Sequence, residues 1–101
     1  MLIVAGQIMI DPNKQAGAEV AFEEMRTATL TEPGCIEYVF STELNNPTNI
    51  RIIEHWKDID ALKNHFRLPH MATFQEAMQK NPPKSVDVKM FDATSLPFPP
   101  Q

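Results

Sequence analysis

Cysteine is nearly absent: Cys35 is the only one among 101 residues. One thiol cannot close an internal disulfide, so no disulfide framework holds this chain. That suits a reducing compartment. An excess of basic residues is also missing. Nine Lys and Arg stand against thirteen Asp and Glu, for a net charge of −4. An acidic chain without a basic cluster is a poor fit to nucleic acid and to anionic membranes. No apolar run approaches the roughly 20 residues of a membrane span. The first one, Met1–Ala5, is too short for the apolar region of a secretory signal, and no basic residue precedes it. A cytoplasmic location is expected. What is present is ordinary globular usage, 43% hydrophobic and 22% charged, which excludes disorder of the whole chain. The length suits one domain with a modest core.

Hydrophobic periodicity divides the chain into seven segments. Residues 2–10 are rich in apolar and β-branched types and predict a strand buried on much of both faces. Leu2, Val4, Gly6, Ile8 and Ile10 share one face. Asp11-Pro12 then opens a helix over 13–31, with Asp as cap and Pro at the first helical position. Its inner stripe is Ala18, Phe22, Met25 and Thr29, and Glu32-Pro33-Gly34 stops it. Residues 35–44 and 49–57 alternate and predict a hairpin around a turn at 45–48. Ile36, Tyr38, Phe40, Thr42 and Leu44 share one face of the first strand. Ile50, Ile52, Glu54 and Trp56 share one face of the second. Asp58 caps a short helix carrying Ile59, Leu62 and Phe66. Pro69 starts another over 69–79, with Met71, Phe74 and Met78 in line. Residues 85–93 alternate again.

The order strand, helix, strand, strand, helix pair, strand is the ferredoxin-like pattern of an α+β fold. It predicts a four-stranded antiparallel sheet with helices on one face. The expected domain is 1–94, followed by a Pro-rich tail at 95–101. Ile3, Ala5, Met9, Val39, Ile53 and Phe91 would lie on the sheet's other face. Such a patch is too apolar to leave in water, so a homodimer through the open sheet face is expected.

The stretch Glu54-x-Trp56, Ala61-Leu62-x-x-His65, Pro69-His70 and Phe74 resembles the antibiotic biosynthesis monooxygenase family of dimeric α+β barrel proteins. Pro33-Gly34, Tyr38 and the Asn46-Pro47 turn fit the same template. The resemblance covers roughly residues 2–93. It departs at Leu68, where the family usually has a Ser or Thr cap, and at the Pro-rich extension. The resemblance implies cofactor-independent oxygenation of a quinol-like or hydroxy-aromatic small molecule with O2. Two alternatives stay open: an isomerase, and a non-catalytic ligand-binding dimer on the same fold. The family's haem-degrading branch would need an Asn on the first strand, a Trp near 65 and a His near 75. This chain has Gly6, His65 and Gln75 there.

The candidate site follows from both readings. His65 is the expected catalytic base, because an imidazole near its ordinary pKa takes a proton at neutral pH. Trp56 would stack on a flat substrate or serve as core. Tyr38 would orient a hydroxyl or simply pack. His70 would line the site or tie the helix turn together, and Phe74 would line the pocket. Gly6 marks a close approach, either of a ligand or of a packed helix. Glu54, if buried, needs a partner such as His65 or a backbone N–H. No cofactor is expected. No metal is expected either, since His65 and His70 are five apart with Pro69 between and no further ligand is evident. Cys35 is expected to be a small packing residue rather than a nucleophile.

Overall fold

The computed structural model describes residues 1–101. The elements are β1 (Leu2–Met9), a 3₁₀ turn (Pro12–Lys14), α1 (Gln15–Thr29), β2 (Cys35–Glu43), β3 (Asn46–Trp56), α2 (Ile59–His65), α3 (Pro69–Lys80) and β4 (Ser85–Asp92). The sheet order is β2-β3-β1-β4, with every neighbouring pair antiparallel. This is the expected ferredoxin-like α+β arrangement. Residues 93–101 carry no helix or strand, and no helix is long and apolar enough to cross a membrane.

Local chemistry explains most boundaries. The Asp11 carboxylate accepts the Asn13 N–H, so Pro12–Lys14 forms a 3₁₀ turn and α1 begins two residues later than the periodicity predicts. Asp58 accepts the Ala61 N–H and caps α2. Leu68 offers no side-chain bond to α3, whose start rests on Pro69 instead.

The strict alternation expected for β2 fails at its start. Cys35 pairs with Trp56 and Glu37 with His55, which leaves Ile36 as the extra residue of a bulge. Ile36 is therefore 56% exposed, while Cys35 turns inward against the core. The hairpin is also tighter than expected, since β3 already starts at Asn46. Pairing jumps from Glu43–Asn46 to Thr42–Ile50, because Pro47 lacks the N–H a continuous ladder requires.

The core lies between the helices and the sheet's inner face, in two clusters. One gathers Leu2, Val4, Met25, Tyr38, Trp56, Ala61, Leu62 and Met71. The other gathers Ile8, Ile10, Ala18, Phe22 and Ile50. Phe40 and Phe74 pack against both. The helices cover this face unevenly. α1 packs on α3 and β2, and α2 leans on β3. No helix packs broadly on β4, whose inner residues Val86, Val88 and Met90 stay exposed.

Gly6 answers to the sheet itself. It pairs with Val88 of β4, and a Cβ at this position would meet the Asp87 carbonyl oxygen and come within 2.6 Å of the Val88 Cα. Backbone cannot yield as a side-chain tip can. Gly6→Ala is expected to destabilise the fold by about 1–3 kcal/mol, the range for overpacking a tight site. A lowered urea midpoint would register it; an unchanged midpoint would refute the account.

Candidate functional site

Trp56 ends β3 and is wholly buried. Its indole Nε1–H donates to Glu54 Oε1 at 2.9 Å. The two residues are two apart on one strand, so their side chains share the inner face. Glu54 is a carboxyl 6% exposed among apolar side chains. Burial pushes its pKa up to about 7, opposed by the Trp56 hydrogen bond and helped by the neighbouring Glu32 carboxylate. Trp56 is thus Glu54's partner, in place of the His65 or backbone N–H expected from the sequence.

Beside Glu54 a cleft of about 210 Å³ opens where the helices leave β4 bare. Its walls are Val4, Leu62, Phe66, Val88 and Met90, with Lys89 at the edge and Glu54 as the only acid. A larger hollow of about 470 Å³ adjoins it through the shared Met90, around Met1, Leu2, Ile59 and Phe91. The smaller cleft is the better chemical candidate, because it alone of the two holds a buried acid of shifted pKa.

His65 lies at the end of α2, 1% exposed, and does not line this cleft. Its ring is 4.9 Å from that of Trp56 and 5.7 Å from that of Tyr38. Its Nδ1 is 2.7 Å from Glu32 Oε2, and His70 Nε2 is 2.6 Å from the same oxygen. A carboxylate only accepts, so both imidazoles donate to it. Burial lowers the His65 pKa, with the Glu32 hydrogen bond acting in the opposite sense. The ring is held neutral and oriented.

The sequence spacing argued against convergence of the two histidines, and the structure corrects this. α2 and α3 meet at a bend, Phe66–Leu68, that swings His70 round to His65. The third member, Glu32, stands in the sequence only as part of a helix stop. Its signal was an acid placed just past the C-terminus of α1, where the helix dipole disfavours an anion unless a donor or cation waits there.

The remaining candidates divide between core and rim. Tyr38 is 3% exposed and packs edge-on to Trp56 and Phe40. Burial, then the Glu54 charge, raises its pKa further above its ordinary value, so the phenol keeps its proton. Phe74 stacks with Phe40 and lies beside Phe22, away from the Glu54 cleft. It lines, with His70, a crevice of about 80 Å³ between α1 and α3. Gly6 lines neither space. Its close approach is to β4, and neither a ligand nor a helix accounts for it. Burial pushes the Cys35 thiol up to about 11, which leaves little thiolate for nucleophilic chemistry.

The sequence profile described as Antibiotic biosynthesis monooxygenase matches residues 1–77. An uncharacterised protein of Synechocystis sp. is 28% identical over 93 residues, covering 89% of this chain; the chain spans 61% of that relative's length. A Deinococcus radiodurans protein named as a candidate antibiotic biosynthesis monooxygenase has the same fold, with a TM-score of 0.87 at 24% identity over 95% of each chain. A conserved protein of Methanosarcina mazei Go1 gives a TM-score of 0.84 at 25% identity over 92% of each chain.

Proposed function

We propose that this chain, which belongs to the antibiotic biosynthesis monooxygenase family, oxygenates a quinol-like or hydroxy-aromatic small molecule with O2 and without a cofactor. The substrate lies in the Glu54 cleft. The observation that carries the reading is a buried carboxyl, poised near pH 7, in the wall of a cleft whose other side chains are apolar apart from Lys89. Phe66, Leu62 and Val88 offer flat apolar contact, and the Glu54 carboxylate accepts the phenolic proton. The resulting phenolate is electron-rich enough to reduce O2 itself. For a quinol the products are a hydroxyquinone and water. One oxygen atom bonds to a ring carbon, the other leaves as water, and the substrate supplies the electrons. The protein contributes orientation, a dry environment and a base.

The sequence pointed to His65 as that base. Glu54 is the better placed of the two, since it lines the cleft while the His65 Nδ1 is engaged by Glu32. His65 and His70 then serve as positioning residues behind the wall. The experiment is O2 uptake by the purified protein with a panel of hydroquinones and naphthols, using isotope-labelled O2. One labelled oxygen in the organic product is expected. Binding across the panel with no turnover would replace this reading with a ligand-binding dimer.

The working unit proposed is a homodimer in the reducing cytoplasm. Ile3, Ala5, Met9, Val39 and Ile53 are half-buried on the outer sheet face, and Phe91 is half exposed opposite Ile3. Covering this face with a second copy would bury roughly 1,200–2,000 Å² in total. Light scattering is expected to give twice the 11.5 kDa of one chain. A single-chain mass at micromolar concentration would remove the dimer.

A further inference from the structure

We propose that Glu32, His65 and His70 bind a divalent transition-metal ion, with zinc the ion their chemistry fits best. The three side chains come from three separate segments: the turn after α1, the end of α2 and the start of α3. One donor atom from each lies within 4.8 Å of the others. Two imidazoles and one carboxylate are ligand types that zinc takes at bond lengths of about 2.0–2.2 Å.

Three features of the cluster are poorly explained by hydrogen bonding alone. Both ring nitrogens converge on the single oxygen Oε2, while Glu32 Oε1 is buried with no partner at all. A pure hydrogen-bond network would gain by giving each imidazole its own oxygen. Glu32 is 7% exposed, and its only ion-pair partners are these two histidines; no Lys or Arg reaches it. A buried carboxylate needs more compensation than that. Finally, the Glu32 N–H bonds to the Thr29 carbonyl, which places the side chain at the negative end of the α1 dipole.

A bound cation answers all three. It takes Nδ1 of His65, Nε2 of His70 and Oε2, and Oε1 supplies the fourth contact of a closed site. Each ring must then carry its proton on the other nitrogen. The rings of Trp56, Tyr38 and Phe66 pack around His65 and hold it in place. The His70 side chain, 22% exposed, gives the ion its way in. None of the three residues lines the Glu54 cleft, so the ion is a clamp on three chain segments and the proposal is independent of the oxygenase reading.

The test uses chelator-treated full-length protein, titrated with Zn²⁺ and with Co²⁺. Expected are one Zn²⁺ per chain with a Kd below about 10 μM, a higher melting temperature with the metal, and the intense visible absorption of four-coordinate Co²⁺. His70→Ala, at a half-buried position that tolerates truncation, should weaken binding by more than the roughly 10–100-fold that loss of an outer-shell partner costs. Glu32→Gln, close in shape, should do the same, and His55→Ala on the outer sheet face should bind as the parent does. Binding weaker than that limit, or equal binding by the parent and the His70→Ala variant, would overturn the site and leave a hydrogen-bonded triad.

Discussion

Glu54→Gln is expected to lower turnover on a phenolic substrate by about 10²–10⁴-fold, the span for losing a general base. The amide keeps the shape of the carboxyl and its oxygen still accepts the Trp56 N–H, so the fold persists. In the parent, activity should rise as pH increases through about 7, because only the carboxylate accepts a proton. Stability should move the other way. The folded-state pKa lies above the ordinary 4.5, so the protonated form is favoured by folding. That contribution is fully present below about pH 4.5 and is lost as pH rises through about 7, for a total of about 3 kcal/mol. Glu54→Gln should abolish this slope and stand above the parent in stability at pH 8. Urea titrations across pH 4–8, run beside the kinetics, check both halves. A variant that keeps full turnover would transfer the base to another group. His65→Ala, measured in parallel, tests the other candidate.

Trp56→Ala should give the largest stability loss of any single truncation. The side chain is fully buried, rests against His65 and Tyr38, and holds Glu54. Emptying such a site costs about 3–5 kcal/mol. It also strips a buried carboxyl of its one donor. Domains of this kind have only about 5–15 kcal/mol in total, so the variant should be near unfolding at 37 °C by thermal melt. Trp56→Phe separates the two effects. It keeps most of the apolar volume and removes the N–H that was pulling the Glu54 pKa down. Its pH–activity midpoint should therefore lie above the parent's, with a much smaller loss of stability. A midpoint that stays put would break the link between indole and carboxyl.

These two residues show how far the sequence reaches. Their placement on one inner face follows from the period of a strand; the alternating pattern located three of the four strands, and an apolar, β-branched run located β1. Periodicity also put Phe22, Met25 and Tyr38 in the core, where they are. It misplaced Ile36, because a bulge adds a residue without leaving a mark in the hydrophobic pattern. It could not reveal that Glu32 meets His65 and His70, which lie 33 and 38 residues further on. That meeting depends on how the turn after α1 docks against a bend between two short helices. Nor could it find the cleft. The sequence predicts helices over the inner face, but their failure to reach β4 is a matter of their lengths and crossing positions, which no local pattern encodes.

That uncovered strand has a dynamic consequence. β4 is hydrogen-bonded to β1 alone, and no helix packs broadly on its inner side chains. Protection from amide exchange follows burial and contact density, and both are least along this edge. Val88 and Met90 thus form the one wall of the cleft able to move outward without disturbing the packed helices. A guest entering beside Glu54 would not have to wait for a lid to lift. It would admit itself by bending an edge that β1 alone pairs with, and the same edge would stiffen around it once it was in place.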